Sequence, residues 1–141
     1  MTGYSLGSVA DIGCGTADFL SFLRSEGWAG NYVGVDISPR MIEEATERFK
    51  LDNCSRFLVT ESLPRADFLI ASGIFNVSLK TEPSVWKAYC EETIIKMWQS
   101  AQQGIMFNML SIDSEPERRQ RHLTYFDPSD WLRFVREHLS A

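Results

Sequence analysis

Short apolar runs alternate with longer amphipathic segments along this chain. The runs that are rich in β-branched and aromatic residues, and therefore predict strands, lie at 8–12, 31–36, 55–60, 66–72 and 104–109. None of these runs contains a proline. Strands that alternate with helices in this way predict a mostly parallel sheet covered by helices on both faces. We therefore expect an α/β fold of the doubly wound, three-layer type.

Four segments between and after the runs carry apolar residues at helical spacing, flanked by residues that suit a helix terminus. The residues that we expect to start or end these helices are Thr16 and Gly27, Ser38 and Pro39, Pro83 and Gly104, and Asp127 and Pro128. The positions that we expect to face the core are Phe19, Leu20 and Leu23, then Met41, Ile42, Ala45 and Phe49, then Trp86, Tyr89, Cys90, Ile94, Met97 and Trp98.

The first strand runs directly into a glycine-rich turn in the stretch "SVADIGCGTADFL". A turn that opens a helix in this way directs backbone N–H groups and the positive helix end toward a ligand. A dinucleotide fingerprint would need a third glycine, but its position is occupied by Asp18, whose charge would oppose a pyrophosphate. Asp11 would also repel phosphates, and it favours a ligand that carries an ammonium or sulfonium group. These acids disfavour a nicotinamide-dependent oxidoreductase.

Asp36 ends the second strand about 20 residues after the loop, where a carboxylate can accept both hydroxyls of a ribose. Simpler interpretations remain open at this point. Gly13 and Gly15 also suit an ordinary tight turn, and Asp36 also suits the cap of the next helix.

Together these residues resemble the class I, Rossmann-like S-adenosylmethionine-dependent methyltransferases. "VADIGCGTADFL" is similar to the first motif of that family and "YVGVDISPRMIEEA" to the second. The resemblance continues through "FLVTESLP", "ADFLIASGIFNVSL" and "GIMFNML", and so covers roughly residues 8–110, closest to a small uncharacterised subgroup. It implies a Rossmann-like methyltransferase fold, S-adenosyl-L-methionine as the cofactor and methyl transfer to a small molecule.

The resemblance also implies which residues contact the cofactor. It assigns the methionine part to Asp11, Gly13, Cys14 and Gly15, the ribose to Asp36, the adenine to Ile37, Glu61 and Ser62, and the floor near the amino acid part to Ser72 and Gly73. Glu61 alternatively reads as an exposed loop acid, and Cys14 as a small residue in a tight loop. Ala17 stands where the family commonly has a glycine, and we expect a helical φ to tolerate its methyl group there.

No Ser-His-Asp or metal-binding constellation is evident, which is compatible with methyl transfer because an activated methyl group needs mainly a well-placed acceptor. Family members that methylate the exocyclic amines of nucleic-acid bases or the amides of glutamine carry an Asn/Asp-Pro-Pro-aromatic motif after the fourth strand. The corresponding segment here, "SGIFNVS", has no Pro-Pro pair, which disfavours those substrates. The weak catalytic candidates are Asn76, His122 and Tyr125, for each of which a packing or surface role is favoured. We expect the amides of Asn76 and Asn108 to satisfy buried backbone groups.

Composition narrows the class of protein further. A formal charge of −5 and a pI near 5.0 argue against a nucleic-acid partner, so the run Arg118, Arg119, Arg121 and His122 is read as a solvated face. The 3 cysteines have no metal-ligand spacing, so no metal is expected. Because no leader or long apolar run is seen, we expect a cytoplasmic protein without membrane contact.

The length of 141 residues allows one domain, so we expect residues 1–141 to form a single S-adenosylmethionine-binding methyltransferase domain. Compared with the family, the chain looks truncated and lacks the C-terminal antiparallel hairpin. The fifth strand would then have an exposed edge, so we expect either a homodimer that covers this edge or low stability. The alternative function is a catalytically incomplete S-adenosylmethionine-binding domain or partner subunit.

Overall fold

A computed structural model describes residues 6–139 of the chain, and the predicted domain also includes residues 1–5 and 140–141, which lie outside the described residues. Five parallel strands form the main sheet in the order β3-β2-β1-β4-β5. They are β1 (Val9–Ile12), β2 (Tyr32–Asp36), β3 (Ser55–Val59), β4 (Ala66–Ala71) and β5 (Ala101–Phe107). The helices are α1 (Asp18–Ser25), α2 (Pro39–Arg48), α3 (Pro83–Ser100) and α4 (Pro128–His138). The predicted doubly wound α/β fold is confirmed.

Two hydrophobic clusters cover the two faces of the sheet. Alternate side chains of β1 divide between them, with Val9 on one face and Ala10 and Ile12 on the other. The first cluster is completed by α1 and α2 through Leu20 and Ala45. The second is completed by α3 and α4 through buried residues that include Cys90, Ile94, Met97, Trp131 and Phe134. Helices therefore pack on both faces, as the sequence pattern predicts.

Three of the four helices begin as expected. Ser38 Oγ accepts the Met41 N–H before α2, and Asp127 Oδ1 accepts the Ser129 N–H before α4. Glu82 performs this role before α3, which begins at Pro83. The caps satisfy backbone donors that a helix start leaves unpaired, and they fix where each helix begins on the carboxyl side of the sheet.

The predicted boundary between the third helix and the fifth strand is wrong. The helix ends at Ser100 and the strand begins at Ala101, so Gly104 lies inside β5 and does not end α3. Ala101 pairs with Ala66, and Gly104 lies opposite Phe68. Strand pairing with β4 therefore overrides the glycine as a helix stop signal.

Two residues assigned to the core stripes are exposed. Met41 is exposed at the border of the buried face of α2, and Tyr89 is 49% exposed. A helical stripe has room for only part of the apolar residues near it, because neighbouring positions diverge by about 100°. Tyr89 thereby becomes available to line a cavity.

Strands β2 and β3 lie on one side of β1, and β4 and β5 lie on the other side. The strand order therefore reverses at the connection between β3 and β4. Ligands of such sheets bind outside the carboxyl ends of the strands at this switch point. Beyond β5 the strands β6 (Leu110–Ser111) and β7 (Tyr125–Phe126) form a small second sheet. All strand pairs within residues 6–139 are parallel. No helix in that range is long and apolar enough to span a bilayer.

Candidate functional site

The glycine loop at the end of β1 is tied down by backbone hydrogen bonds to β2. The N–H groups of Gly13 and Cys14 donate to Val35 O at 2.8 and 3.0 Å. Gly13 has φ +70°, and a Cβ there would come within 2.3 Å of Ile74 Cγ2. Gly15 has φ +55°, with open space where its Cβ would be. Both positions require glycine, and Gly15 leaves the backbone open to a ligand.

Ala17 does not have the helical φ that the sequence suggests. Its φ of 66° and ψ of 44° place it in the left-handed region, and its side chain is fully buried. The first helix consequently begins at Asp18 and not at Thr16. A left-handed alanine is strained because its Cβ crowds the following carbonyl, so the missing glycine has a conformational cost of about 1 kcal/mol.

Asp36, at the end of β2, holds the loop from its other side. Its Oδ2 accepts the Gly15 N–H at 3.0 Å, and its Oδ1 accepts the Ser38 N–H at 2.9 Å. The carboxylate thus connects the glycine loop to the start of α2. Ser38, and not Asp36, is the N-cap of α2, so the interpretation of Asp36 as a helix cap is wrong. The ionised carboxylate of Asp36 still has capacity for a ligand, because a carboxylate offers about four acceptor sites.

Asp11 lies beneath the loop and is only 3% exposed. The Tyr32 hydroxyl donates a hydrogen bond to its Oδ2 at 2.6 Å. Burial raises the pKa of Asp11 to about 6, opposed by the Tyr32 hydrogen bond and assisted by the charge of Asp36. Burial, and then the charges of the two acids, raise the pKa of the Cys14 thiol to about 12, so this thiol is inert.

A cavity of about 590 Å³ lies at the carboxyl ends of β1, β2 and β3. Of the predicted cofactor residues, it is lined by Gly13, Asp36, Ile37 and Glu61. The Ile37 side chain is 71% exposed although it is apolar. An exposed aliphatic side chain beside a carboxylate and a bare glycine loop suits a ligand with a flat apolar face and polar hydroxyls.

The cavity also has lining residues that the sequence did not single out for binding. These are Ile12, Val35, Thr60, Leu63, Ile74, Val77, Ser78, Leu79, Thr81, Trp86, Tyr89, Thr93 and Lys96. Thr60 and Leu63 flank the predicted acid Glu61, and Ile74 follows Gly73, so their positions in the chain carried a signal. Trp86 and Tyr89 could not be found in this way, because helical spacing assigned them to the core.

The other predicted cofactor residues do not line this cavity, namely Asp11, Cys14, Gly15, Ser62, Ser72 and Gly73. Ser62 is exposed, and its N–H donates to Thr60 Oγ1. Gly73 has φ +81° with open space at its Cβ position, and its N–H donates to Asn108 Oδ1 at 2.7 Å. Asn108 Nδ2 also approaches Ser72 Oγ at 3.4 Å. The Asn108 amide thus shapes the turn after β4.

The three catalytic candidates occupy different environments. Asn76 Oδ1 accepts the Leu110 N–H at 3.2 Å, and its carbonyl accepts the Thr124 N–H at 2.7 Å. Asn76 therefore joins the loops after β4 and β5, as expected for an amide that satisfies backbone. His122 is exposed in a turn. The Tyr125 hydroxyl accepts the Gln120 N–H at 2.9 Å.

A second cavity of about 400 Å³ adjoins the first, since Ser78 and Trp86 line both. Tyr125 lines this second cavity, whereas Asn76 and His122 do not. Two arginines of the basic run make local contacts: Arg118 forms an ion pair with the Glu115 carboxylate at 2.9 Å, and Arg119 donates to Ser114 O at 3.1 Å.

The profile of a family described as "Methyltransferase domain" matches residues 9–93 of this chain. Among curated proteins, the chain is 35% identical over 122 residues to "Putative methyltransferase Rv1506c" of Mycobacterium tuberculosis. That match covers 86% of this chain and 74% of the relative.

The solved structures that share this fold include two methyltransferases. The S-adenosylmethionine-dependent methyltransferase SibL in its apo form gives a TM-score of 0.70 at 18% identity, over 94% of this chain and 43% of SibL. The N-methyltransferase NodS from Bradyrhizobium japonicum WM9, in complex with S-adenosyl-L-homocysteine, gives 0.57 at 17% identity, over 74% of this chain and 53% of NodS. The chain therefore spans about half the length of these two structures.

Proposed function

Because this chain belongs to the methyltransferase-domain family, we propose that it transfers a methyl group from S-adenosylmethionine to a small-molecule acceptor. The family determines the reaction and the cofactor. The acceptor class and the residues that bind each ligand are the parts that we propose, on the arrangement of the loop and the two cavities.

The residues at the carboxyl edge of the sheet fit this cofactor. Gly15 has open space above its backbone, so a ligand can approach the loop closely. Asp36 lies next to it, with acceptor capacity left after its two backbone hydrogen bonds. The position of the Asp36 carboxylate beside the open backbone of Gly15 is the observation that carries the proposal, because a carboxylate there can accept the hydroxyls of a ribose.

We assign the ribose hydroxyls to Asp36 and one face of the adenine to Ile37, with Glu61 at the adenine edge. Ser62 would face the adenine edge together with Glu61. Asp11, Gly13, Cys14 and Gly15 would support the methionine part, and Ser72 with Gly73 would line the floor near its amino acid portion. The cavity of about 590 Å³ supports this assignment, since four of these residues line it. When bound, the cofactor supplies a methyl group on a sulfonium that is already a good leaving group.

We place the acceptor in the second cavity, of about 400 Å³, which adjoins the cofactor cavity at Ser78 and Trp86. A cavity of this size suits a small molecule. Methyl transfer needs the acceptor atom in line with the methyl group more than it needs a catalytic side chain. Tyr125 lines this cavity and is the candidate to receive a proton, whereas Asn76 and His122 do not line it.

The test is turnover with methyl-labelled S-adenosylmethionine and a panel of small amines, phenols, thiols and carboxylic acids. Mass spectrometry should find S-adenosylhomocysteine formed in a 1:1 ratio with one methylated product. Cofactor binding without turnover on any acceptor would support the alternative, a cofactor-binding domain or partner subunit without catalysis of its own. Absence of cofactor binding would overturn both.

We also propose that two copies associate across the outer edge of β5. This strand, "AQQGIMF", has neither charge nor proline, and Met106 is 64% exposed. An edge of that composition is open to pairing with another strand. Sedimentation should show a dimer that Gln103→Pro converts to monomer, while Gln102, on the same strand, tolerates replacement by Thr. A monomer at all concentrations would refute the proposal.

A cytoplasmic location is part of the same proposal. Cys54 is exposed and unpaired among the described residues, and an exposed thiol persists best in a reducing compartment. Fractionation of cells that express the chain with a small epitope tag would test this location.

A further inference from the structure

The hydrogen bond between Tyr32 and Asp11 is the buried polar contact that the proposed reaction does not use directly. The two side chains come from adjacent strands, β2 and β1, and both are almost fully buried. In the strand register Tyr32 pairs with Val9 and Gly34 pairs with Asp11. The phenol of Tyr32 therefore reaches diagonally across the strand pair to the Asp11 carboxylate.

We propose that Tyr32 is a positioning residue for the cofactor: its hydroxyl holds the Asp11 carboxylate beneath the glycine loop and keeps it ionised. The loop then has a negative charge under it, at the place assigned above to the cationic methionine end of S-adenosylmethionine. The inference rests on the proposed function of this loop, and it adds a residue that the loop motifs do not contain.

The surroundings of Asp11 leave Tyr32 as its only donor among the residues that the structure describes. The titratable groups that face it are Tyr32 from β2, Cys14 from the loop and Asp36 from the end of β2. The helices α1 and α2 contribute apolar Leu20 and Ala45 to the cluster around Tyr32. Arg48 of α2 donates its hydrogen bonds to Thr16 O and to the Asp18 carboxylate.

A phenol suits this role because it donates one hydrogen bond without adding a charge. Burial and the neighbouring carboxylate raise the pKa of Tyr32, so the hydroxyl keeps its proton throughout the physiological range. A hydrogen bond to the charged form favours that form. Without the hydroxyl, burial would hold the Asp11 carboxyl neutral to a higher pH, and less of the negative charge beneath the loop would be present near neutral pH.

The test is calorimetric titration with S-adenosylmethionine between pH 5 and 7.5 for the wild type and Tyr32→Phe. The cofactor's own amino and carboxyl groups keep constant charge through most of this window. Wild-type affinity should rise with pH through about 6, the value to which burial raises the pKa of Asp11. In Tyr32→Phe the midpoint of this rise should move upward by about half to one pH unit, as expected for one lost hydrogen bond.

Asp11→Asn is the control, since it removes the titrating group and should flatten the profile through pH 6. Adding Tyr32→Phe to Asp11→Asn should then leave the profile unchanged. Coincident midpoints in wild type and Tyr32→Phe would overturn the inference, even if the affinity of Tyr32→Phe were uniformly weaker, because a merely structural role predicts that result. Absence of binding by the wild type would instead refute the proposed function.

Discussion

At the scale of single residues, Asp11 combines a cost in stability with a proposed use. Burial raises its pKa from 3.8 to about 6, so the folded protein holds this proton more tightly than the unfolded chain does. The free energy of unfolding therefore falls by ~3 kcal/mol in total as pH rises from about 4 to about 6. Above about pH 6 the contribution of Asp11 no longer changes. A buried charge with this cost is typical of a functional site.

Asp11→Asn should therefore be more stable than the wild type at pH 7 by ~1–3 kcal/mol and nearly equal to it at pH 4, where Asp11 is neutral. Denaturant unfolding across this range measures the difference. Asp52→Asn is the control of opposite sign, because a hydrogen bond from Arg24 lowers the pKa of Asp52 and makes its charge stabilising. An Asp11→Asn variant less stable than wild type at pH 7 would contradict the account.

Ala17 offers a second test at this scale, together with Ala45, which is equally buried but helical. Changing either residue to glycine removes a buried methyl group and increases the conformational entropy of the unfolded chain. Together these effects lower the free energy of unfolding by ~1–2 kcal/mol. At Ala17 the change also relieves the left-handed strain. Ala17→Gly should stay within ~1 kcal/mol of wild type while Ala45→Gly costs ~2 kcal/mol. Equal losses would contradict the assigned strain.

At the scale of elements, β2 supplies most of what holds the glycine loop. Val35 accepts two loop N–H groups, and Asp36 accepts a third. Gly34, which precedes them in β2, leaves room for the loop, because a Cβ there would come within 2.8 Å of Cys14 Sγ and 2.9 Å of Phe57 Cδ1. The alternation of the sequence predicted β2 to within one residue. It did not predict Gly34, because close approach across strands depends on the register.

Gly34→Ala should accordingly cost ~1–3 kcal/mol of stability through overpacking, and it should weaken cofactor binding by displacing Cys14 and the loop. Gly104→Ala is the matched control, since a Cβ there would meet Phe68 at an ordinary 3.6 Å and β5 lies away from the loop. Thermal unfolding with and without S-adenosylhomocysteine measures both effects. A Gly34→Ala variant that behaves like Gly104→Ala would contradict the assigned packing.

At the scale of the whole molecule, the order β3-β2-β1-β4-β5 brings the ends of β1 and β2 together at the switch point. The sequence predicted the five strands, three of the four helix starts, and Asp36 beside the loop, because each depends on local pattern or on short loops. It misplaced Gly104 and the conformation of Ala17, and it assigned Tyr89 to the core. Those features are set by strand pairing and by packing between distant segments, for which a local pattern holds no information.

The central claim is that S-adenosylmethionine binds at the carboxyl ends of β1 and β2 through Asp36. Titration calorimetry with S-adenosylhomocysteine on Asp36→Ala and Asp67→Ala tests it most directly. Each carboxylate accepts two hydrogen bonds, but those of Asp67 come from Ser8, at the amino ends of the strands and opposite to the site. Loss of bidentate ribose contacts should weaken binding about a hundredfold in Asp36→Ala, or ~3 kcal/mol, with Asp67→Ala near wild type. Equal affinity of wild type and a folded Asp36→Ala would contradict the claim.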